Sequence, residues 1–262
     1  LGKGSGGIGD NYHISAIFGL VFILSYSIFQ DDPRLVAATL DRSGGISQPP
    51  YDSLNLGLGS GDDPILVHQN REILRNHFQL QEIVVSRLEH GTAIAEIRKG
   101  EGPPIADALW TREKGLALVV THADCQGALF YDPCQQVIAA VHAGWRGLVA
   151  GVYPKTVAHL ERVAKCKARN LRVAISPSLG PCCAEFRHFK TEIPAEFWPY
   201  QVRPSYFNLP QIARDQLLAS GVEQIEISPI CTRCCPQYFS YRREKTTGRN
   251  GSVIALKNPL SL

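Results

Sequence analysis

The stretch Leu116–Gly147, LALVVTHADCQGALFYDPCQQVIAAVHAGWRG, constrains this chain more than any other. It holds three apolar runs divided by short polar breaks. The pattern predicts strands at Leu116–Thr121, Gly127–Tyr131 and Val137–His142, with Asp132–Pro133 opening the tight return between the last two. If the strands run up, down and up, the loop His122–Ala123–Asp124–Cys125 and the residue His142 reach the same end. A thiol and an imidazole distant in sequence then lie together, as a metal site or a Cys/His nucleophile pair requires.

The residues that follow suit such a site. Ala143–Gly144–Trp145–Arg146–Gly147 reads as a glycine turn carrying one aromatic face and one permanent cation, able to receive phosphate or carboxylate oxygens. The plainer alternative is a strand end with a buried Trp and a solvated Arg. The clustering of Cys125, His142 and Arg146 at one strand end favours the functional reading. Asp124 points away from Cys125 if the loop is extended, which leaves it a minor candidate for a base.

A net charge of +3 with no Lys/Arg run gives no footing for a nucleic-acid or anionic-membrane partner. The eight cysteines include two adjacent pairs, Cys182–Cys183 and Cys234–Cys235, unlike a secreted disulfide framework. Reduced thiols and a cytoplasmic location are the expectation. Ile14–Phe29 is apolar but shorter than the ~20 residues of a spanning helix, and its Ile, Val, Phe and Tyr content favours a buried strand pair. Residues 1–30 therefore read as an N-terminal extension, with a Gly-rich flexible leader over residues 1–12 and a partly packed strand. Residues 31–262 read as a single domain.

Asp63–Pro64 predicts a helix start, with Val67, Asn70, Ile73, Leu74 and Phe78 on one face and an end near His77. Further helices are expected over Pro154–Lys165 and, capped by Asn208, over Leu209–Ala219. Strands are expected at Ile83–Ser86, Leu171–Ser176, Gln224–Ser228 and Ser252–Lys257. Strands and helices do not alternate strictly, which argues for an α+β sandwich of mixed or antiparallel sheets with helices outside. Cys231–Thr232–Arg233–Cys234–Cys235 offers one zinc-knuckle pair, with Cys182 and Cys183 as further candidates. Buried thiols beside a turn are the preferred reading there.

Several motifs occur in order along the chain: Thr121–Cys125 (THADC), His142–Gly147 (HAGWRG), Arg42–Ser47 with Tyr51–Asp63, His90–Gly91, Ala106–Thr111 (ADALWT), Leu179–Cys183 (LGPCC) and Phe239–Asn250. Together they resemble the YfiH family, also called the laccase-domain or polyphenol oxidase family. The resemblance implies two packed mixed β-sheets flanked by helices, a fold shared with the deamidase domain of cytotoxic necrotizing factor toxins. It also implies a catalytic metal, zinc with copper as the alternative, held by His90, Cys125 and His142 with an open fourth position. Arg42, Asn55, Asp124, Arg146 and Arg242 become candidate substrate contacts. His122, Glu89 and Gln126 depart from the family pattern around these ligands.

The activity implied is phosphorolysis of adenosine, inosine or methylthioadenosine, with adenosine deamination at the same metal. Nucleoside and phosphate would be the small-molecule partners. Three other readings stay open: a copper polyphenol oxidase, a metal-free Cys/His hydrolase or deamidase, and a non-catalytic binding module whose zinc is structural. The oxidase sits poorly with eight His and no His-x-His cluster. Oligomeric state is not readable from the sequence.

Overall fold

The run Leu116–Val120 is fully buried along its whole length, so both of its faces must be covered. A second sheet covers one face and a helix the other. The computed structural model describes residues 14–17 and 21–258. The leader expected over residues 1–12 lies outside the described residues.

In chain order the strands are β1 (Ile14–Ile17), β2 (Val21–Ser25), β3 (Leu35–Leu40), β4 (Glu82–Val85), β5 (Ile94–Glu96), β6 (Ala108–Thr111) and β7 (Leu116–His122). Then come β8 (Gln126–Asp132), β9 (Val137–Ala143), β10 (Arg172–Ile175), β11 (Gln201–Arg203), β12 (Tyr206–Phe207), β13 (Gln224–Ile227) and β14 (Asn250–Leu256). The helices are α1 (Pro64–His77), α2 (Trp145–Val149), α3 (Val152–Arg162), α4 (Phe189–Glu192), α5 (Leu209–Ala219) and α6 (Tyr241–Glu244).

One sheet runs β1-β2-β3-β14-β7-β4 and the other β13-β10-β8-β9-β6-β5. Both are mixed: β4 pairs parallel with β7 while β14 pairs antiparallel with it, and β13 pairs parallel with β10 while β8 pairs antiparallel. The protein is therefore an α+β sandwich of two packed mixed sheets with helices outside.

Side-chain alternation builds its layers. Leu116, Leu118 and Val120 of β7 meet Leu129 and Tyr131 of β8 between the sheets. Ala117 and Val119 face outward to a cluster with Leu74 of α1. Phe130 and Ala139 face the other way, beneath Tyr153 and Val157 of α3 and Ile212 and Leu217 of α5.

The three predicted central strands form, but they do not share a sheet. β7 belongs to the first sheet, β8 and β9 to the second. Ala123–Asp124–Cys125 is thus the crossing between sheets, and Asp124 takes a left-handed φ of 88° to make it. Apolar runs covered on both faces carry no parity signal that assigns them to a sheet.

Asp63 and Asn208 cap α1 and α5 through side-chain bonds to the Ile65 and Gln211 N–H groups. The helix expected over Pro154–Lys165 begins two residues earlier and ends at Arg162. At the edge of the first sheet β1 pairs with β2, and Val21, Ile23, Leu24, Tyr26 and Phe29 are buried. No helix among the described residues is long and apolar enough to cross a membrane.

Candidate metal centre and its clefts

Cys125 immediately precedes β8, and His142 is the penultimate residue of β9. The register pairs Gln126 with Ala143 and Gly127 with His142, bringing thiol and imidazole to the same end. His90 joins them from the turn after β4, in a left-handed backbone with φ 58°. That conformation is uncommon for a residue with a side chain, and a surrounding network has to hold it.

Asp107, only 1% exposed, is the centre of that network. Its Oδ1 lies 2.9 Å from His142 Nδ1 and accepts the His90 N–H at 3.0 Å, while Oδ2 accepts the Gly91 N–H at 2.7 Å. The His142 N–H also donates to the Asp107 carbonyl at 2.7 Å. One buried carboxylate therefore orients the His142 ring and shapes the turn that presents His90. With Nδ1 occupied, His142 has Nε2 free for the centre.

The donor atoms of His90, Cys125 and His142 all lie within 4.8 Å of one another, and the two imidazole rings meet edge to face at 4.9 Å. Burial alone pushes the Cys125 thiol up; the charge of His142 and hydrogen bonds from His142 and His90 more than reverse this and lower its pKa. Burial disfavours charge on His142, yet Cys125 and Asp107 outweigh it and raise the imidazole. For Asp107, burial raises the carboxyl, and His142 with the Gly91 N–H carries it below its ordinary value.

Two nitrogens and one sulfur poised to ionise suit a borderline-soft divalent cation. The space beside them is kept open: a Cβ on Gly144 would sit 3.0 Å from Cys125 Sγ and 3.2 Å from His90 Cδ2.

Two clefts meet at this centre. One, of about 650 Å³, is bordered by Trp145, Phe186, Leu179, Gln126, Arg242 and Lys245. The other, of about 600 Å³, is bordered by His90, His122, Leu88, Arg71, Arg87 and Arg249. Cys125 and Tyr241 border both. Burial lowers Arg71 to about 10, so it remains a cation at neutral pH. His122 is buried, hydrogen-bonded through Nε2 to Ser252 Oγ at 2.9 Å, and pushed by burial down to about 3. It is a neutral wall of the second cleft.

Of the remaining sequence-selected residues, Asp124 and Arg242 border the first cleft, and Arg42, Asn55 and Arg146 border neither. Arg42 does not border either cleft: its guanidinium binds Glu244 and the Asp52 carbonyl and lies 4.6 Å from the Phe239 ring centroid. Asn55 is fully buried and ties the Gly-rich loop together, accepting from the Gly57 and Arg249 N–H groups and donating to Ser60 and Asp62. Asp124 has its carboxylate taken up by Thr232, Ser240 and the Arg242 N–H, so it anchors the crossing loop rather than offering a base.

Arg146 sits on α2, a short helix where a glycine turn was expected. It is exposed, stacked 4.2 Å from the Trp145 ring centroid, and borders neither cleft. Arg242 borders the first cleft, with its Nη1 donating to the Glu185 carbonyl. Asp107 and the cations Arg71 and Arg87 were not singled out from sequence. For Asp107 the signal was there: a lone carboxylate inside the apolar run ADALW must find donors if it is buried.

Residues 36–257 match the family described as multi-copper polyphenol oxidoreductase laccase. A purine nucleoside phosphorylase from Streptomyces coelicolor is 37% identical over 226 residues, covering 82% of this chain and 93% of that protein. Purine nucleoside phosphorylase YfiH from Escherichia coli is 36% identical over 244 residues, 86% of this chain and 95% of the relative. The crystal structure of YlmD from Geobacillus stearothermophilus superposes with a TM-score of 0.83 at 29% identity, covering 94% of this chain and 99% of that one. That of a Bacillus licheniformis hypothetical protein YfiH gives 0.84 at 26% identity, covering 95% and 100%. In sequence and in fold, then, this chain belongs to the laccase-domain family that includes the YfiH purine nucleoside phosphorylases.

Proposed function

We propose that this chain is a zinc-dependent purine nucleoside phosphorylase acting on adenosine, inosine and methylthioadenosine, with adenosine deaminase activity at the same centre. The observation that carries this reading is the Asp107-braced His90–Cys125–His142 cluster, standing where an aromatic cleft and a cationic cleft meet. The names of the relatives support the substrate class.

Trp145 and Phe186 offer ring faces for a purine, and Gln126 lines the same cleft. Arg71, Arg87 and Arg249 provide positive charge for a phosphate dianion. In phosphorolysis a phosphate oxygen attacks the ribose C1′ and the glycosidic C–N bond breaks. Its electron pair leaves with the base, which takes up a proton. Two binding surfaces meeting at one point hold the reactants for that displacement. Bound zinc would supply a Lewis acid for developing negative charge. Asp107 keeps His142 in the tautomer that presents Nε2. Location in the cytoplasm fits eight cysteines of which none is in a disulfide.

The test supplies adenosine and inorganic phosphate to the purified protein and to Cys125→Ala, reading free adenine, ribose 1-phosphate, inosine and bound zinc. The expected result is turnover in the parent, and in the variant loss of turnover together with the one zinc equivalent held by His90, Cys125 and His142, with the fold retained. No base and no inosine from the zinc-loaded parent would overturn the reading.

A second reading has its own observation. The hydrogen-bonding order Cys125–His142–Asp107 is that of a thiol nucleophile, its base and an orienting carboxylate, as in a Cys/His hydrolase or deamidase. Full activity in zinc-stripped protein would favour it. A copper polyphenol oxidase fits less well. It calls for many imidazoles, and among the described residues only His90 and His142 of the eight His share a metal-sized group.

A further inference from the structure

We infer that Cys182, Cys183, Cys231 and Cys234 form a second metal site, a four-thiolate structural zinc separate from the His90–Cys125–His142 centre. All four sulfurs lie within 4.8 Å of one another. Cys183 Sγ is 3.4 Å and Cys182 Sγ 3.7 Å from Cys234 Sγ. In a tetrahedral site with Zn–S of 2.3 Å the sulfurs stand about 3.8 Å apart, and a disulfide needs about 2.05 Å. The observed spacing matches the edges of such a tetrahedron and is far too long for a disulfide.

The backbone is shaped to deliver these thiols. After Cys231 the chain turns tightly, the Cys234 and Cys235 N–H groups donating to the Cys231 carbonyl at 3.1 and 2.9 Å. Opposite, the Cys183 and Ala184 N–H groups donate to the Gly180 carbonyl at 2.9 and 3.0 Å. The turns are joined through Ser178, whose N–H donates to the Ile230 carbonyl at 3.3 Å and whose carbonyl accepts the Thr232 N–H at 2.9 Å, on either side of Cys231. The Gly180 N–H donates to Cys231 Sγ at 3.3 Å and Arg233 to Cys183 Sγ at 3.5 Å, the outer contacts that a charged metal–thiolate group attracts. A Cβ on Gly180 would come within 3.0 Å of Cys231 Cβ and 3.5 Å of Cys182 Sγ. The glycine makes the close approach of the two turns feasible.

Four protein ligands close the coordination shell, so this metal would hold structure and take no substrate. What it holds is specific. Thr232, between ligands Cys231 and Cys234, gives its hydroxyl to Asp124 Oδ1 at 2.7 Å, and Asp124 directly precedes Cys125. The Leu179 N–H in the opposite turn donates to the Asp124 carbonyl at 2.8 Å. The site clips together the two segments that fix the crossing loop. The buried thiols expected from sequence are thus partly wrong: Cys182 and Cys234 are exposed, where unligated thiols would be open to oxidation.

The experiment uses the full chain, reduced and metal-stripped, in three forms: the parent, His90→Ala/Cys125→Ser/His142→Ala, and Cys231→Ser/Cys234→Ser. Each is titrated with zinc under native mass spectrometry and alkylated with N-ethylmaleimide before and after loading. The triple variant is expected to keep one zinc per chain. In it and in the parent, zinc should protect Cys182, Cys183, Cys231 and Cys234, while exposed Cys134 reacts throughout. The double variant should lose that zinc and the protection of Cys182. Equal alkylation of Cys182 and Cys234 in zinc-loaded and zinc-free parent would overturn the proposal. So would a triple variant that binds no metal, or a disulfide-linked Cys183–Cys234 peptide from unreduced protein. Parent protein alone decides the alkylation arm, so a variant that fails to fold leaves the result readable. The outcome is independent of whether the first centre works on nucleosides.

Discussion

Asp107 Oδ1 lies 2.9 Å from His142 Nδ1, 35 positions along the chain, and the same carboxylate takes the N–H groups of His90 and Gly91. Two of the three candidate metal donors are thereby set by a residue that is not itself a donor. Partners in this outer position tune ligand basicity and ring orientation.

Asp107→Asn keeps the shape but replaces an acceptor oxygen with an amide that donates. Zinc affinity is expected to fall about 10–100-fold, measured by competition with a chromophoric chelator. An unchanged affinity would show the carboxylate to be no more than a support for the turn.

The cations divide by cleft. Arg87→Ala and Arg249→Ala are expected to raise KM for phosphate about tenfold or more, the cost of a lost charge-assisted bond of about 1.5–3 kcal/mol. Arg146→Ala should change it less than about twofold, because Arg146 stacks on Trp145 and borders neither cleft. Steady-state kinetics with varied phosphate decides, and the reverse ranking would return Arg146 to the site.

Much of the scaffold could be read from the residues, and the reasons are local. Asp63–Pro64 and Asn208–Leu209–Pro210 announce helix starts through caps that act within three residues. The central apolar runs announce strands for the same reason. What local rules miss is pairing at long range. Cys183 meets Cys234 51 positions away; the sequence offered Cys182 and Cys183 as candidate partners but favoured plain buried thiols, and only the facing turns bring four sulfurs together. α2, at five residues, is too short to show a helical period.

Asn55 illustrates the other limit. Its position in a Gly-rich loop was compatible with touching a ligand, yet its four hydrogen bonds all close the loop on itself and on Arg249. Asn55→Ala strands the buried N–H groups of Gly57 and Arg249, at about 1–3 kcal/mol each. Urea unfolding is expected to show a stability loss of about 2–4 kcal/mol. A loss under about 0.5 kcal/mol, in the range of ordinary surface changes, would mean the loop is not held this way.

Acid stability should depend on Asp32. Hydrogen bonds from Arg34, opposed by burial and aided by the Tyr131 hydroxyl at 2.6 Å, hold its carboxyl well below the ordinary 3.8. Because the folded value is depressed, its contribution is whole above the unfolded value of 3.8. It is lost as pH falls from there through the folded value. Asp32→Asn is therefore expected to be less stable at pH 7 and to lose less on acidification. Denaturant midpoints at neutral pH and near pH 3 measure it, and parallel acid limbs for the two proteins would contradict it.

Gly144 gives the sharpest test of the centre's geometry. It precedes α2 with φ −77° and ψ 174°, an extended backbone that alanine also adopts, so Gly144→Ala adds no backbone strain. What it adds is one carbon, 3.0 Å from Cys125 Sγ, 3.2 Å from His90 Cδ2 and 4.0 Å from His142 Cε1. The thiol and the His90 ring must retreat by a few tenths of an ångström. A divalent zinc with bonds of about 2.0–2.3 Å tolerates little of that displacement. The metal-free variant should melt close to the parent, since the neighbours that move lie beside an open cleft. Zinc binding should weaken and phosphorolysis fall with it. Chelator competition and calorimetry on stripped and loaded protein separate the two effects. Parent-like zinc affinity in the alanine variant would mean that His90, Cys125 and His142 do not converge on a common ion as closely as the structure has them.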